Sequence, residues 1–429
     1  MKVMVIGSGG REHALAWKLA QSERVSEVLV VPGNAGTAGE SGMRNVDVDA
    51  SDFDALLQLV QDEDVRFTMV GPEAPLVEGI VDRFTEQGFP CFGPSSAAAQ
   101  LEGSKAFTKE FLARNDIPSG AYETFTDVEK ARAYVLAQGA PIVVKADGLA
   151  AGKGVVVAQT VEEAVAAVED MLSGNAFGEA GACVVVEEFL AGEEASFICI
   201  CDGEHAVPFA SSQDHKAVED GDKGPNTGGM GAYSPAPVVT ELVHQKVMTQ
   251  VIEPTLRGMA RDGAPYTGFL YAGLMISSEG DPKVIEFNCR FGDPEAQPIM
   301  MRLESDLLDV CEAAIAGELQ DYKLDFDPRV ALGVVMAAGG YPLNYDKGDA
   351  ITGLEKDLLD TKVFHAGTTL DDDGVVVTNG GRVLCVVGLG SNVSNAQARA
   401  YERVDLIGWR GRYFRKDIGY RAIERSPKS

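Results

Sequence analysis

The sequence predicts an α/β protein that opens with a doubly wound parallel sheet and closes with a small α+β domain. Three observations carry this. Short apolar runs recur along the first hundred residues, each followed by a Gly- or Pro-containing loop and a helical stretch, which is the βαβ pattern. At 429 residues the chain is too long for one compact core, so roughly two to four domains are expected. Its 45% hydrophobic and 24% charged residues are ordinary for a globular protein, and no apolar run approaches the ~18 residues needed to cross a bilayer.

In order, Val3–Ile6 reads as a buried strand, followed by Gly7-Ser8-Gly9-Gly10 and a helix from about Arg11 to Gln21. Val28–Val31 is the next strand and ends in Pro32-Gly33-Asn34-Ala35-Gly36. A helix over Phe53–Gln61 leads to Phe67–Val70, which stops at Gly71-Pro72-Glu73. Leu76–Gln87 is helical, and Cys91-Phe92 leads into Gly93-Pro94-Ser95. Ligands of such a sheet gather at the carboxyl ends of its strands. A dinucleotide fingerprint fails on detail: Glu12 stands where the third glycine belongs, and no acid closes the second strand. A Gly-Gly loop opening a helix can still cradle one phosphate, which makes Gly9, Gly10 and Arg11 candidate anion binders. A purely structural tight turn is the alternative.

Ser104 is placed to cap a helix carrying Lys105, Phe107 and Phe111. A strand around Tyr122–Phe125 and a helix over Val128–Gln138 follow. In Pro141–Ala158, PIVVKADGLAAGKGVVVA, two β-branched runs flank the glycine-rich loop Asp147–Gly154, which contains Lys153. This is not a Walker A loop, being one residue short and lacking the Ser/Thr that would hold Mg²⁺. It reads as a lid able to fold backbone amides over phosphates. Lys145, embedded in an Ile-Val-Val run, requires a partner, and an anionic ligand is the expected one. The alternative is a plain hairpin with a glycine-rich turn.

A helix over Val161–Leu172 precedes the strand Cys183–Leu190, and Glu193-Glu194 precede a strand over Ser196–Cys201 with a hairpin turn at Asp202-Gly203. Ser211–Ser234 is polar and glycine-rich with no strand or helix period, so it is expected to be a long functional loop. It carries Asp214, His215, Lys216, Asn226 and Thr227 beside Gly228-Gly229, a mixture suited to a small polar substrate. His215 has no Cys or His at zinc-ligand spacing.

A helix over Val239–Met259 and strands over Gly268–Ile276 and Lys283–Asn288 come next. In KVIEFNCRFGDP, residues 283–294, Glu286, Asn288 and Arg290 alternate with Phe287, Cys289 and Phe291. Side chains two apart on a strand share a face, so one face presents a carboxylate, an amide and a guanidinium. The oxygens suit a hard cation such as Mg²⁺, and the guanidinium suits a phosphate or carboxylate. An amphipathic edge strand is the bland reading. Asp306–Ala316 is helical. From about residue 328 the chemistry thins: strands over Arg329–Ala337, Lys362–His365, Gly374–Val377 and Arg382–Leu389, with one helix at Val393–Val404.

The 65 acidic against 37 basic residues give a net charge of −28, which argues against a nucleic-acid partner. MKVMVIGSGGREH is a strand and loop, not a signal peptide. Seven Cys without a C-x-x-C pair read as buried, reduced thiols of a cytoplasmic protein, none a candidate nucleophile.

Lys105, Lys145 with its glycine loop, Glu187-Glu188-Phe189-Leu190 and Glu286-x-Asn288 occur in an order that resembles the ATP-grasp ligases. GSGGREHALAW at the N-terminus, PGNAGT at 32–37, GPEAPL at 71–76, KADGLAAGKGV at 145–155, QDHK at 213–216, GPNTGGMGAYSP at 224–235 and EFNCRFGDPE at 286–295 narrow the resemblance to the phosphoribosylamine–glycine ligase family. The likeness runs to KDIGYRAI at 416–423, essentially the whole chain.

The resemblance implies central ATP-grasp lobes between the two end domains, with boundaries at 1–101, 102–326 (a lid-like lobe at about 123–192) and 327–429. It implies that Lys105 and Lys145 contact ATP phosphates while Gly152, Lys153 and Gly154 close over them. The connector Glu187, Glu188, Phe189 and Leu190 would hydrogen-bond adenine through its backbone, with Glu194 near the ribose. Glu286 and Asn288 would hold Mg²⁺ or Mn²⁺. Gly9, Gly10, Arg11, Asn34, Gly36 and Glu73 would bind 5-phosphoribosylamine. Glycine would lie near Asp214, Lys216, Arg290 and Asp293, with Asn226, Thr227 and Gly228 in the same loop. Lys145, Arg290 and Asp293 would be catalytic. The strand Phe269–Ile276 offers no carboxylate, so the metal shell is expected to be thin.

The reaction implied is ATP-dependent ligation of glycine to phosphoribosylamine through glycyl phosphate, in purine biosynthesis. It implies a cytoplasmic monomer, at most a weak dimer, with small-molecule partners and neither nucleic acid nor membrane. A sister ATP-grasp carboxylase and a nucleotide-binding regulatory protein are the competing readings. The N-terminal domain alone also admits a nicotinamide oxidoreductase.

Overall fold

The computed structural model describes residues 1–149, 154–173 and 182–425. Strands β1 (Lys2–Gly7), β2 (Glu27–Pro32), β3 (Met43–Asn45), β4 (Val65–Val70) and β5 (Cys91–Phe92) form an all-parallel sheet in the order β3-β2-β1-β4-β5. Val3–Ile6 are fully buried because helices cover both faces, as an all-parallel sheet requires. The strand order reverses between β1 and β4, which opens a crevice at their carboxyl ends, where Gly7-Ser8-Gly9-Gly10 and Gly71-Pro72-Glu73 lie. Gly7 sits there at φ +128°, and a Cβ on it would stand 2.4 Å from Glu12 Cγ, so only glycine fits.

The small central lobe holds β6 (Tyr122–Phe125), β7 (Ile142–Ala146), β8 (Val155–Ala158) and β9 (Val184–Glu188) in the antiparallel order β6-β9-β7-β8. Helices Val128–Gln138 and Val161–Leu172 close a core of its own around Val135, Val144, Val168 and Val186. The large lobe is built on β10 (Glu193–Asp202) and β11 (Ala206–Pro208), with two later strands alongside. Residues of β10 alternate between two cores: Phe197, Cys199 and Cys201 pack to one side, Ile198 and Ile200 to the other.

Ser211–Ser234 departs from the expected strandless loop. It contains β12 (Gln213–Asp214), β13 (Ala217–Glu219), β14 (Lys223–Asn226) and β15 (Gly231–Ser234). Strands of two to four residues are too short to show a period; β13 pairs with β14 and β12 with β15 inside the segment, and β15 alone finds a distant strand, Val330–Ala337. β16 (Thr267–Ile276) and β17 (Pro282–Asn288) complete the large-lobe sheet in the order β11-β10-β16-β17. β18 (Val330–Ala337), β19 (Thr361–His365), β20 (Thr368–Leu370), β21 (Val376–Thr378) and β22 (Arg382–Gly390) follow. The C-terminal sheet runs β12-β15-β18-β22-β19, so the segment 211–234 contributes two of its strands.

Two expected helices are interrupted. Leu76–Gln87 divides at Gly79, φ +93°, into Glu73–Val77 and Ile80–Glu86. The Val239–Met259 helix runs as Glu241–Val247 and Glu253–Arg261 joined by a π-helical turn, Met248–Ile252, just before Pro254, which has no N–H for the ladder. Helices over Ala35–Gly39, Ser96–Gly103, Ala296–Arg302 and Tyr420–Arg425 escape the sequence reading; most are one or two turns long. All seven cysteines are free, six of them buried. Among the described residues no helix is long and apolar enough to cross a membrane.

Candidate active site

A cleft of about 350 Å³ lies where the small lobe, β17, the β1–β4 crevice and the C-terminal sheet meet. β17 forms its floor. Its register to β16 shifts between Gly273 and Leu274, which pair with Glu286 and Val284, so Ile285 is the extra residue of a β-bulge. The bulge turns Ile285 and Glu286 toward the cleft together, and Asn288 and Arg290 follow at period two. Strict alternation therefore located Glu286, Asn288 and Arg290; it did not locate Ile285, which the bulge adds, or Phe287, which also lines the cleft.

On the small-lobe side, a slot of about 180 Å³ is walled by Val143, Val155, Val157, Met275 and Ile285, with Phe189 and Leu190 at its edge. Glu187, Glu188, Glu194 and Asn226 supply its polar rim. A flat heterocycle fits such a slot. Next to it Lys145 is buried and donates to the Ile285 carbonyl at 3.1 Å. Within the chain it pairs with Glu187. In the β7–β9 ladder Val143 faces Glu187 and Lys145 faces Val185, so Lys145 and Glu187 are diagonal neighbours on one face. Glu187 also pairs with Lys109, which the sequence did not single out. Lys105 donates to the Gly148 carbonyl at 2.7 Å, and Asp147 accepts from Ser104 Oγ at 3.1 Å and from the Ala106 N–H at 3.2 Å. Ser104 caps the Lys105–Arg114 helix as expected, its hydroxyl accepting from the Phe107 N–H. Burial lowers the Lys105 pKa. Gly154 lines the cleft; Gly152 and Lys153 lie outside the described residues.

At the far end Arg290 is bracketed by acids, Nε to Glu73 at 3.2 Å and an Nη to Glu102 at 2.9 Å. Two carboxylates of the chain thus hold the guanidinium in place. Burial works against the Glu73 charge, but Arg290 and Arg11 outweigh it and hold that carboxyl at about 2. Burial raises the Glu102 carboxyl, although Arg290 pulls it down. Glu102 also accepts from the Cys289 N–H at 2.7 Å, which ties the end of β17 to the Ser96–Gly103 helix.

The glycine loop also differs from the simple phosphate cradle. The Glu12 carboxylate accepts from the Gly9 N–H and from Arg11 Nε, both at 2.6 Å, so the Gly9 amide is already engaged. A Cβ on Gly10 would stand 2.5 Å from Gln297 Nε2 and 3.7 Å from Asp293 Oδ1, which brings this loop against the end of the β17 segment. Asn34 caps the Ala35–Gly39 helix, accepting from the N–H groups of Gly36 and Thr37, and donates to the carbonyls of Ser8 at 2.8 Å and His365 at 3.0 Å. Its side chain thus shapes the loop and ties it to the C-terminal sheet. Gly36 packs under His13 and His365.

The segment 211–234 joins the cleft through Asp214, Lys216, Thr227 and Gly228. Lys216 pairs with Glu194 at 3.0 Å and with Glu286 at 3.5 Å. Asp214 is buried, and burial together with Glu295, Glu194 and Glu286 pushes its carboxyl up to about 8 against the pull of Lys216. Glu295 accepts from Ser196 Oγ at 2.8 Å and Tyr271 Oη at 3.1 Å. His215 belongs to packing: its Nε2 accepts from the Gly419 N–H, and its ring lies among Tyr233, Tyr420 and Asp222.

The expectation that the chemistry thins after residue 328 is corrected here. Arg382, at the start of β22, reaches into the cleft and donates to the Asp293 carboxylate at 3.0 Å, the Asp293 carbonyl at 2.7 Å and the Gly228 carbonyl at 2.5 Å. Burial opposes the Asp293 charge, but Arg382 and Arg11 hold its carboxyl below the ordinary range.

A divalent cation fits Glu286 and Asn288. Burial opposes the Glu286 charge, yet Lys216, Lys145 and Arg290 hold its carboxyl at about 2, so it is an anionic oxygen donor beside an amide oxygen. Among the described residues no group of three or more His, Cys, Asp or Glu gathers as a metal cage, so the remaining ligands fall to phosphate oxygens and water.

Three family models match in succession: the N domain of phosphoribosylglycinamide synthetase over residues 1–102, its ATP-grasp (A) domain over 103–296 and its C domain over 331–421. The chain belongs to the phosphoribosylglycinamide synthetase family. The ligase of Yersinia pestis, a phosphoribosylamine–glycine ligase, is 64% identical over 99% of this chain and 100% of its own, and that of Vibrio parahaemolyticus is 63% identical over 99% of each. The solved phosphoribosylamine–glycine ligase of Thermotoga maritima is 33% identical and superposes with a TM-score of 0.85, covering 97% of this chain and 100% of its own. The family's ATP-grasp model spans the nucleotide slot, the lysines and β17, and its N model spans the β1–β4 crevice. Lys109, Glu102, Glu295 and Arg382 were missed in the sequence because each acts through a partner more than seventy residues away.

Proposed function

We propose that this cleft ligates glycine to 5-phosphoribosylamine with ATP, giving glycinamide ribonucleotide, ADP and phosphate, the carbon–nitrogen ligation of purine biosynthesis. The observation that carries the reading is one cleft joining an apolar base slot, a lysine cluster, Glu286 with Asn288, and the β1–β4 crevice.

In this reading adenine enters the slot against the backbone of Glu187, Glu188, Phe189 and Leu190, with Glu194 at the ribose and the triphosphate over Lys105 and Lys145. Gly152, Lys153 and Gly154 close over the phosphates, in a lid-like lobe at about 123–192. Glu286 and Asn288 hold Mg²⁺ or Mn²⁺, which neutralises phosphate charge when bound. Glycine lies by Asp214, Lys216, Asn226, Thr227 and Gly228, near Arg290 and Asp293. Phosphoribosylamine occupies the crevice formed by Gly9, Gly10, Arg11, Asn34, Gly36 and Glu73, with Asp293 at the junction of the two substrates.

The glycine carboxylate attacks the γ-phosphorus, ADP leaves, and glycyl phosphate forms. The amine of phosphoribosylamine then attacks the carbonyl carbon, an amine proton is released, and phosphate departs. Such in-line transfer needs positioning and charge neutralisation rather than a protein nucleophile. Lys145 supplies charge at the phosphates. Arg290, held by Glu73 and Glu102, acts as a fixed donor toward the carbonyl oxygen rather than as a mobile cation. Closure of the cleft keeps water from the acyl phosphate.

In this reading the segment 102–326 carries the ATP chemistry between the end segments 1–101 and 327–429; Arg382 comes from the last of these, while β12 and β15 join its sheet from the central segment. The chain acts in this reading as a monomer, at most a weak dimer. Unpaired thiols support a cytoplasmic setting.

The test is ADP release with Mg·ATP, glycine and phosphoribosylamine generated in situ, omitting each in turn. ADP formation that requires all three is the expected result. Turnover that needs bicarbonate and not glycine overturns the substrate assignment.

A further inference from the structure

Lys109 is a buried cation that the mechanism above does not use. It sits one turn beyond Lys105 on the Lys105–Arg114 helix, is 3% exposed, and lines the same cleft. Its ammonium pairs with one oxygen of Glu187, while Lys145 pairs with the other. Tyr122 lies beneath it, ring centroid 5.9 Å away. The three side chains place two cations about one carboxylate at the cleft wall, each little exposed: Lys145 is 5% and Glu187 5% exposed.

The charge arithmetic of this set decides what Lys145 can do. A single Lys145–Glu187 pair would be neutral, and a neutral pair has little net attraction for a triphosphate at the cleft wall. With Lys109 present the set carries one net positive charge, and the Glu187 charge is divided between two ammonium groups. Burial of an unshared carboxylate beside Lys145 would otherwise concentrate their mutual attraction in a low-dielectric site.

We propose that Lys109 is a positioning residue that shares Glu187 with Lys145 and so leaves the Lys145 charge available to the ATP phosphates. This rests on the reading that Lys145 meets those phosphates. It assigns a function to the Glu187 carboxylate distinct from the backbone contacts of the connector, namely to fix both lysines at the edge of the base slot.

The test is steady-state kinetics of the full chain with Mg·ATP and glycine as separately varied substrates. Lys109→Met is expected to raise KM for ATP by about tenfold or more, with KM for glycine changed less than about twofold. Lys109→Met/Glu187→Gln, in which the carboxylate charge is also removed, is expected to bring KM for ATP back to within about threefold of the parent. Lys109→Arg keeps the charge and is expected to stay near the parent. An unchanged KM for ATP in Lys109→Met, with Lys145→Met raised, overturns the proposal alone. An unchanged KM in Lys145→Met overturns the phosphate role of Lys145 and the proposal with it. A double variant that folds and keeps the elevated KM shows Lys109 to be structural. Where Lys109→Met does not fold, Lys109→Gln, which removes the charge but keeps a donor toward Glu187, is measured in its place, and an unchanged KM for ATP there overturns the proposal.

Discussion

Arg382 grips Asp293 twice, donating to its carboxylate at 3.0 Å and to its carbonyl at 2.7 Å across 89 residues of sequence. Through the same guanidinium it holds the Gly228 carbonyl, so the C-terminal sheet fixes both the end of the β17 segment and the turn of the substrate loop. Arg382→Ala is expected to lower kcat/KM on the order of 10²-fold, the scale of an ångström-level misplacement of reacting groups. Arg382→Lys recovers only part, because an ammonium cannot reproduce the planar two-nitrogen grip. A near-parental kcat/KM for Arg382→Ala removes it from the positioning of the site.

Arg290→Ala is expected to lower kcat by ~10²-fold, the scale for losing a transition-state donor. It also strands Glu73 and Glu102 in a buried pocket, so the melting temperature should fall as well. Adding Glu102→Gln should restore part of the melting temperature and none of the kcat. Recovery of both together would make Arg290 a structural residue.

Glu286→Ala should raise the Mg²⁺ concentration needed for half-maximal rate by roughly tenfold or more, since it removes the anionic oxygen of a thin donor set. The measurement is initial rate against free Mg²⁺ at saturating ATP. An unchanged half-saturation point would remove Glu286 from the metal site.

Asp214 gives a pH dependence of stability with a definite sign. Between the ordinary carboxyl value of 3.8 and its buried value of about 8, the folded chain holds a proton that the unfolded chain has released. Stability from this group therefore falls as pH rises through that window and is level above it. Asp214→Asn removes the penalty, so its melting temperature relative to the parent should climb from pH 4 to pH 8 and then stay flat. A pH-independent difference counts against a raised Asp214.

Asn34→Ala should destabilise the chain by about 1–2 kcal/mol, the cost of a helix cap, with the loss of two carbonyl contacts added. KM for phosphoribosylamine should rise, because the loop that Asn34 ties to Ser8 and His365 lies at the crevice. A melting shift with unchanged KM would confine Asn34 to stability.

The sequence alone determined the elements whose signal is local. Val3–Ile6 and Val28–Val31 declare buried parallel strands by apolar runs, Ser104 declares a helix start by its hydroxyl, and Glu286, Asn288 and Arg290 share a face because a strand repeats every two residues. Motif order along the chain carried the family. Tertiary structure alone decided what each charge faces. The β7–β9 register put Glu187 diagonal to Lys145, the Ser96–Gly103 helix brought Glu102 to Arg290, and β22 carried Arg382 to Asp293. A charge pair forms wherever two backbones approach, whatever their separation in sequence, and buried ions must find such partners because the interior solvates them poorly.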